Sequence, residues 1–198
     1  MRRSRRRRQK SASLPVVAGS LLGLAVGAAC GVYLPGSSLL ASAVKVGAWQ
    51  TDLTTGSEAA GLYTRARTAL IGLLALRPDE TIYLVAREDD SGAPLRGECR
   101  YRLSGSDLPA RWWSITVYGS DYFLLSNADR RYSFNATSVP RTPDGRIEFR
   151  LGDGEDDLPL PVAGPFVLAL RLYNPEPAIA AAPTGLRPPA IERIGSCP

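Results

Sequence analysis

The chain contains no histidine. That absence removes the imidazole base on which Ser-His-Asp and Cys-His nucleophile systems depend, and with it the His-ligated zinc and iron centres. Cysteine is nearly as scarce. Of the three, Cys30 falls inside an apolar run, which leaves too few thiolates for a metal site. Neither standard glycine-rich phosphate loop occurs. No cofactor and no metal are expected. Charge is missing too where its absence says most: the 21 residues from Leu14 to Leu34 carry none.

What precedes that run gives it a direction. Arg2, Arg3, Arg5, Arg6, Arg7, Arg8 and Lys10 crowd the first ten residues, and such positive flanks stay on the cytoplasmic side of a membrane. As a helix, the apolar run spans about 31 Å, close to the thickness of a hydrocarbon core. The reading is a basic cytoplasmic tail (1–13), a transmembrane or signal segment (14–34), a Gly/Ser/Thr-rich linker (35–57) and an exported domain (58–198). A retained inner-membrane anchor leads. A cleaved signal is the rival, with small-residue sites at Gly27-Ala28-Ala29 and Ala41-Ser42-Ala43. Gly19, Gly23, Gly27 and Gly31 fall on one helical stripe, which favours pairing of two such helices and so a homo-oligomer.

The tail also explains the charge. The chain has 24 basic and 19 acidic residues, and removing the seven at the start leaves 17 against 19, a net of −2. Nucleic acid is therefore not an expected partner. The high isoelectric point belongs to the tail.

From Ser57 the periodicity turns helical: Leu62, Ala66, Leu70 and Leu74 recur every four residues beside Ala69, Leu73 and Leu76, until Arg77-Pro78 stops the pattern. This predicts an amphipathic helix packed by its leucines, with Arg65 and Arg67 off the stripe, facing water or a pocket. Beyond Pro78, strand-like runs alternate with turn formers. Strands are predicted near 81–87, 98–103, 112–118, 122–126, 132–135, 147–151 and 166–173, the signature of an all-β sandwich or barrel. Residues 175–189 are proline-rich and are expected to run extended over the surface.

Cys99 and Cys197 remain in the exported part. In an oxidising compartment two lone cysteines are most simply a disulfide, pinning the tail onto the sheet. Catalysis is left to carboxylates. Asp144, Asp153, Glu155, Asp156 and Asp157 all sit in predicted turns without the spacing of a calcium loop or a marked glycosidase pair. The candidate ligand-binding residues are Arg111, Trp112, Trp113, Tyr118, Asn127, Arg131, Tyr132, Arg171 and Tyr173. Arginine beside aromatics on a β face suits an anionic or sugar-like ligand. The competing reading is structural, since strand aromatics are commonly core and an arginine among them commonly pairs with a carboxylate or carbonyl.

Those residues also carry a resemblance. Arg111 to Tyr118, then Asn127, Arg131-Tyr132-Ser133, Asp144-Gly145 and Arg171-Leu172-Tyr173-Asn174-Pro175 resemble the bacterial family called domain of unknown function 1214. Tyr63 to Arg67, Leu73 to Leu76 and Glu80-Thr81 are similar to its short, membrane-anchored branch. The resemblance covers roughly residues 48–198 and implies a jelly-roll-like β-sandwich; longer relatives carry a second module before it. Asp156-Asp157-Leu158-Pro159 departs from the family's Asn-Trp-Leu-Pro, and Leu186-Arg187-Pro188-Pro189 lacks a tryptophan that many relatives have. The resemblance brings no activity. The sequence thus points to a membrane-anchored periplasmic protein that binds an envelope component or a protein partner, with a carboxylate-dependent hydrolase or lyase acting on envelope saccharides as the alternative. Two acids facing each other across a groove would favour the alternative.

Overall fold

A computed structural model describes residues 13–36, 43–70, 74–161 and 163–197. The basic tail up to residue 12 lies outside them, as do Ala41, Ser42 and Leu73. The chain divides into two compact units, Met1–Leu40 and Ala41–Pro198.

The first unit contains one helix, α1 (Ser13–Gly36), 24 residues long. Gly19, Gly23, Gly27 and Gly31 line up along it, and a Cβ added at any of them would meet nothing within 4 Å. Side chains are described only from 15 to 31 within it. Among the described residues no helix is long and apolar enough to cross a membrane.

The second unit is mainly β. Its strands are β1 (Ala43–Val46), β2 (Trp49–Asp52), β3 (Thr81–Ala86), β4 (Arg100–Gly105), β5 (Ala110–Gly119), β6 (Ser133–Asn135), β7 (Ile147–Gly152), β8 (Leu158–Pro159), β9 (Phe166–Pro175) and β10 (Ala190–Ile194). They form a six-stranded sheet, β1-β2-β3-β9-β5-β6, and a four-stranded sheet, β10-β4-β7-β8. All pairings are antiparallel except β7 with β8. The result is β-sandwich-like.

Period-two alternation decides which side chains meet in the middle. From the large sheet, Ile82, Leu84, Trp113, Ile115, Leu168 and Leu170 are buried; from the small sheet, Tyr101, Leu103, Phe149, Leu151 and Ile191 are buried with them in one cluster. Aromatic pairs join the two sheets. Tyr101 of β4 meets Phe166 of β9 edge-on at 5.6 Å, and Phe134 of β6 meets Phe149 of β7 at 4.8 Å.

Cys99 and Cys197 form a disulfide with their Cα atoms 4.7 Å apart. Cys99 stands one residue before β4 and Cys197 three after β10, and these strands pair in a register that sets Ile194 opposite Arg100. Gly195, at φ +73°, turns the chain so that the bridge closes the end of this ladder. Across 98 residues, the chain-entropy argument gives such a bridge about 4 to 5 kcal/mol.

Four expectations are corrected. Residues 43–52 are not linker but the hairpin β1–β2 at the edge of the large sheet. Trp49 there is buried, and its indole N–H donates to the Pro189 carbonyl at 2.8 Å. That single tryptophan outweighs the linker-like composition around it. The run 122–126 is no strand; only Leu124 bridges back to Tyr118. The tail is not simply extended: it forms α3 (Pro177–Ala181) and a 3-10 turn (Pro183–Gly185), then enters the small sheet as edge strand β10.

The fourth correction concerns the helix. It exists as α2 (Leu62–Leu70), but its leucines do not pack. Leu62 and Leu70 are 86% and 69% exposed. The opposite side, with Thr64, Arg67 and Thr68, faces Tyr83, Val85 and Arg87 of the large sheet. Positions 64, 67 and 68 share a face about half a turn from 62, 66 and 70. The helix is amphipathic as predicted, yet inverted, because the sheet surface it meets is polar.

Candidate functional site

The outward face of the large sheet follows from the same alternation. Strand register places Tyr83 beside Arg171, Arg171 beside Ser114, and Ser114 beside Asn135. The next row runs Val85, Ala169, Thr116 and Ser133. Tyr173 lies between Thr81 and Trp112, and Tyr118 opposes Val167. A face that could have been apolar is instead lined with hydroxyls, aromatics and arginine.

Four of the predicted site residues meet here. Arg171 donates to the Tyr118 hydroxyl at 2.8 Å, and its guanidinium lies 5.4 Å from that ring's centre. Trp112, 37% exposed, packs against Tyr173 with centroids 5.3 Å apart. Arg171 makes no ion pair among the described residues. Ser114 and Thr116 between these pairs are buried.

The others are placed differently. Trp113 points into the core, where its indole N–H donates to Asp107 at 3.0 Å. Arg111, two residues earlier, is exposed. Asn127 closes its own loop, donating to the Leu125 and Arg131 carbonyls and accepting from the Arg131 amide at 3.0 Å. Arg131 donates to the carbonyls of Glu155 and Asp157, tying that loop to the β7–β8 turn. Tyr132 is half-buried, and its carbonyl accepts from the Val117 amide. Through these bonds Asn127, Arg131 and Tyr132 hold the loop in place.

The residues that pattern reading left out lie at the other end of the same face. Arg87, one residue past β3, donates to the Tyr122 hydroxyl and stacks over that ring at 5.6 Å. Tyr122 holds a left-handed backbone (φ +66°), a conformation costly for an aromatic residue and frequent at functional loops. Arg87, Arg67 and Tyr83 line one cleft of about 40 Å³ together with Gln50, Asp52 and Thr64. Burial lowers the Arg87 pKa, and the positive charge of Arg67 lowers it further. A second cavity, about 250 Å³, shares Thr51, Asp52, Thr55 and Tyr83 with the first. It is also lined by Thr81, whose buried hydroxyl has no partner among the described residues. The helical spacing of Arg67 off the leucine stripe hinted at this cleft. Nothing local to Arg87 did, since its role comes from strand pairing.

Carboxylates are used elsewhere. Asp52 is the one acid lining the cleft, and it accepts from the Thr54 amide at 2.9 Å and hydroxyl at 2.7 Å. A glycosidase needs two facing acids, so this cleft does not supply that chemistry. Asp157 is buried against Arg100 at 3.1 Å, and Asp153 is exposed near the same arginine. Asp144 is exposed and accepts from Thr142, whose hydroxyl leads in holding its pKa below the ordinary value. Among the described residues, no group of three or more His, Cys, Asp or Glu is placed to hold a metal ion.

Set beside known proteins, this β region has relatives. Residues 80–177 match the family model described as "Protein of unknown function (DUF1214)". That segment carries the family's match, the same family the motifs from Arg111 to Pro175 resemble. The chain is similar to the crystal structure of the VPA0106 protein from Vibrio parahaemolyticus, at 24% identity and a TM-score of 0.58, over 69% of this chain and 36% of that one. An uncharacterized protein from Burkholderia cenocepacia matches at 19% identity and a TM-score of 0.38, over 58% of this chain and 29% of that one. The chain thus spans about a third of the length of each. No curated protein matches it significantly.

Proposed function

We propose that this chain is a non-enzymatic binding protein of the bacterial inner membrane. Residues 14–34 would hold it there, with the jelly-roll-like β domain in the periplasm engaging an anionic or sugar-like envelope component. The basic flank, the charge-free run from Leu14 to Leu34 and a disulfide suited to an oxidising compartment support the location.

The observation that carries binding is the partner choice of arginine on the outward face. Arg87 and Arg171 are half-buried, yet each bonds a tyrosine hydroxyl and neither pairs with an acid among the described residues. A guanidinium taken partly out of water without a counter-charge lowers stability unless a ligand supplies one. Flanking aromatics add stacking surfaces for a sugar or planar group.

The test is native mass spectrometry of the full chain purified from membranes in mild detergent. A co-purified acidic molecule, lost from Arg171→Gln, is expected. A chain that is bare in every preparation would overturn the reading. A reporter fused to the C-terminus should be active in the periplasm; activity confined to the cytosol would refute the location. Self-association along the glycine stripe predicts that Gly23→Leu with Gly27→Leu abolishes crosslinking in membranes, and unchanged crosslinking would refute it.

A further inference from the structure

The cleft beneath α2 is more specific than the face around it. We propose that it seats a small oxyanion head, a phosphate or carboxylate, between Arg67 and Arg87. The inference rests on the binding reading above and narrows its ligand.

Charge is the first argument. Two guanidiniums and one carboxylate line the cleft. The carboxylate is already engaged by the Thr54 amide, the Thr54 hydroxyl and, at 3.4 Å, the Thr64 hydroxyl. Arg67 forms no hydrogen bond or ion pair with any described residue, and Arg87 spends one N–H on the neutral Tyr122 hydroxyl. Two like charges share a half-buried space with a net positive excess. An arriving oxyanion would relieve their repulsion and accept several charge-assisted hydrogen bonds at once.

Donor supply is the second. The Gln50 amide also lines the cleft and makes no hydrogen bond to a described residue. It offers two further N–H groups. Thr68, by contrast, returns its hydroxyl to the Thr64 carbonyl at 2.8 Å, and the Tyr83 hydroxyl bonds Leu74. The uncommitted side-chain N–H donors therefore come from Arg67, Arg87 and Gln50, on three different elements: α2, the end of β3, and β2. Such convergence of donors, two of them charged, suits an anion, since the one carboxylate of the lining is already engaged by Thr54 and Thr64.

Size is the third. About 40 Å³ leaves room for a few water-sized groups. A carboxylate or phosphate, itself a few water-sized groups across, matches that space. A head of this kind arrives either as a free anion or on a lipid.

The experiment is calorimetric titration of the full chain, in neutral detergent, with inorganic phosphate and with acetate at constant ionic strength. At least one should bind saturably. Arg67→Gln and Arg87→Gln should each weaken it tenfold or more, and the lysine variants less, with circular dichroism unchanged throughout. Repeating the titration in micelles doped with phosphatidylglycerol assigns the source: competition means a lipid head, and no competition means a free anion. No binding of either anion, or binding indifferent to both glutamine variants, overturns the proposal. If an acidic ligand still co-purifies and leaves with Arg171→Gln, the broader binding reading survives that failure; if none does, both fall.

Discussion

The two sheets treat arginine in opposite ways. On the small sheet, three arginines are matched to acids, Arg100 to Asp157, Arg102 to Glu192 and Arg193 to Asp89, while the exposed Arg150 of β7 makes no ion pair among the described residues. Arg141, bridged to Ile147 of β7, takes Asp107 at 2.9 Å. On the large sheet's outward face, Arg87 and Arg171 take phenols, and Arg67 takes no described partner. One set is neutralised within the fold. The other keeps its charge available, at a cost in desolvation that the fold itself does not recover. The contrast separates side chains that hold the domain together from side chains that await something.

The largest expected effect is on the stabilising side. Reducing the disulfide, or substituting Cys99→Ser with Cys197→Ser, frees the edge strand β10 and should cost roughly 2 to 5 kcal/mol, read as a lower thermal midpoint of the full chain. An unchanged midpoint would mean that β10 is held by its ladder alone.

Asp89→Ala should come next. Asp89 is buried and accepts from Ser91 and Ala93, while its second oxygen faces Arg193 at 3.2 Å without an aligned hydrogen bond. Removing one partner of such a pair leaves a half-buried cation and costs about 3 kcal/mol. Burial pushes this carboxyl's pKa up, but the Ser91 hydroxyl, the Ala93 amide and Arg193 outweigh it and hold it below 3.8. Its stabilising contribution is therefore complete above pH 3.8 and is lost as pH falls through the depressed value. Asp107, held down by Trp113, Leu108 and Arg141 against the burial that raises it, behaves likewise. Acid titration of the wild type should show a steeper stability loss below pH 4 than Asp89→Ala does.

The outward face should respond the other way. Arg67→Gln should leave stability unchanged or raise it by up to about 1 kcal/mol, because it removes repulsion at Arg87. A clear loss would recast Arg67 as structural. Smallest of all, Glu192→Gln should leave the thermal midpoint unmoved, since the Arg102–Glu192 pair is open to solvent.

How much of this was legible in the sequence depends on the range of the interactions. The strands that form the middle of both sheets were readable because alternation is local: Trp113-Ile115-Val117 and Leu168-Leu170-Leu172 announce an inner face unaided. Strands β1 and β10 were not, because four or five residues of ordinary composition become strands only when a neighbour supplies the ladder. The leucine stripe of α2 revealed a helix, but which side docks depends on the polar surface it meets. For the site, Trp112, Tyr118, Arg171 and Tyr173 share a sheet face through pairing that alternation alone suggested. Arg87 and Tyr122 lie outside the strands, and only the fold brings Arg87 to Arg67 and Tyr122 to Arg87. The loop-holding bonds of Asn127 and Arg131 were not legible, because turn-building polar residues and binding residues have the same composition.

The most direct test is the phosphate-dependent rise in thermal midpoint, measured at fixed ionic strength for the wild type, Arg87→Gln and Arg102→Gln. A rise is expected that Arg87→Gln abolishes and Arg102→Gln keeps. If both variants reduce it equally, the anion merely screens surface charge, and the distinction between the two sets of arginines is wrong.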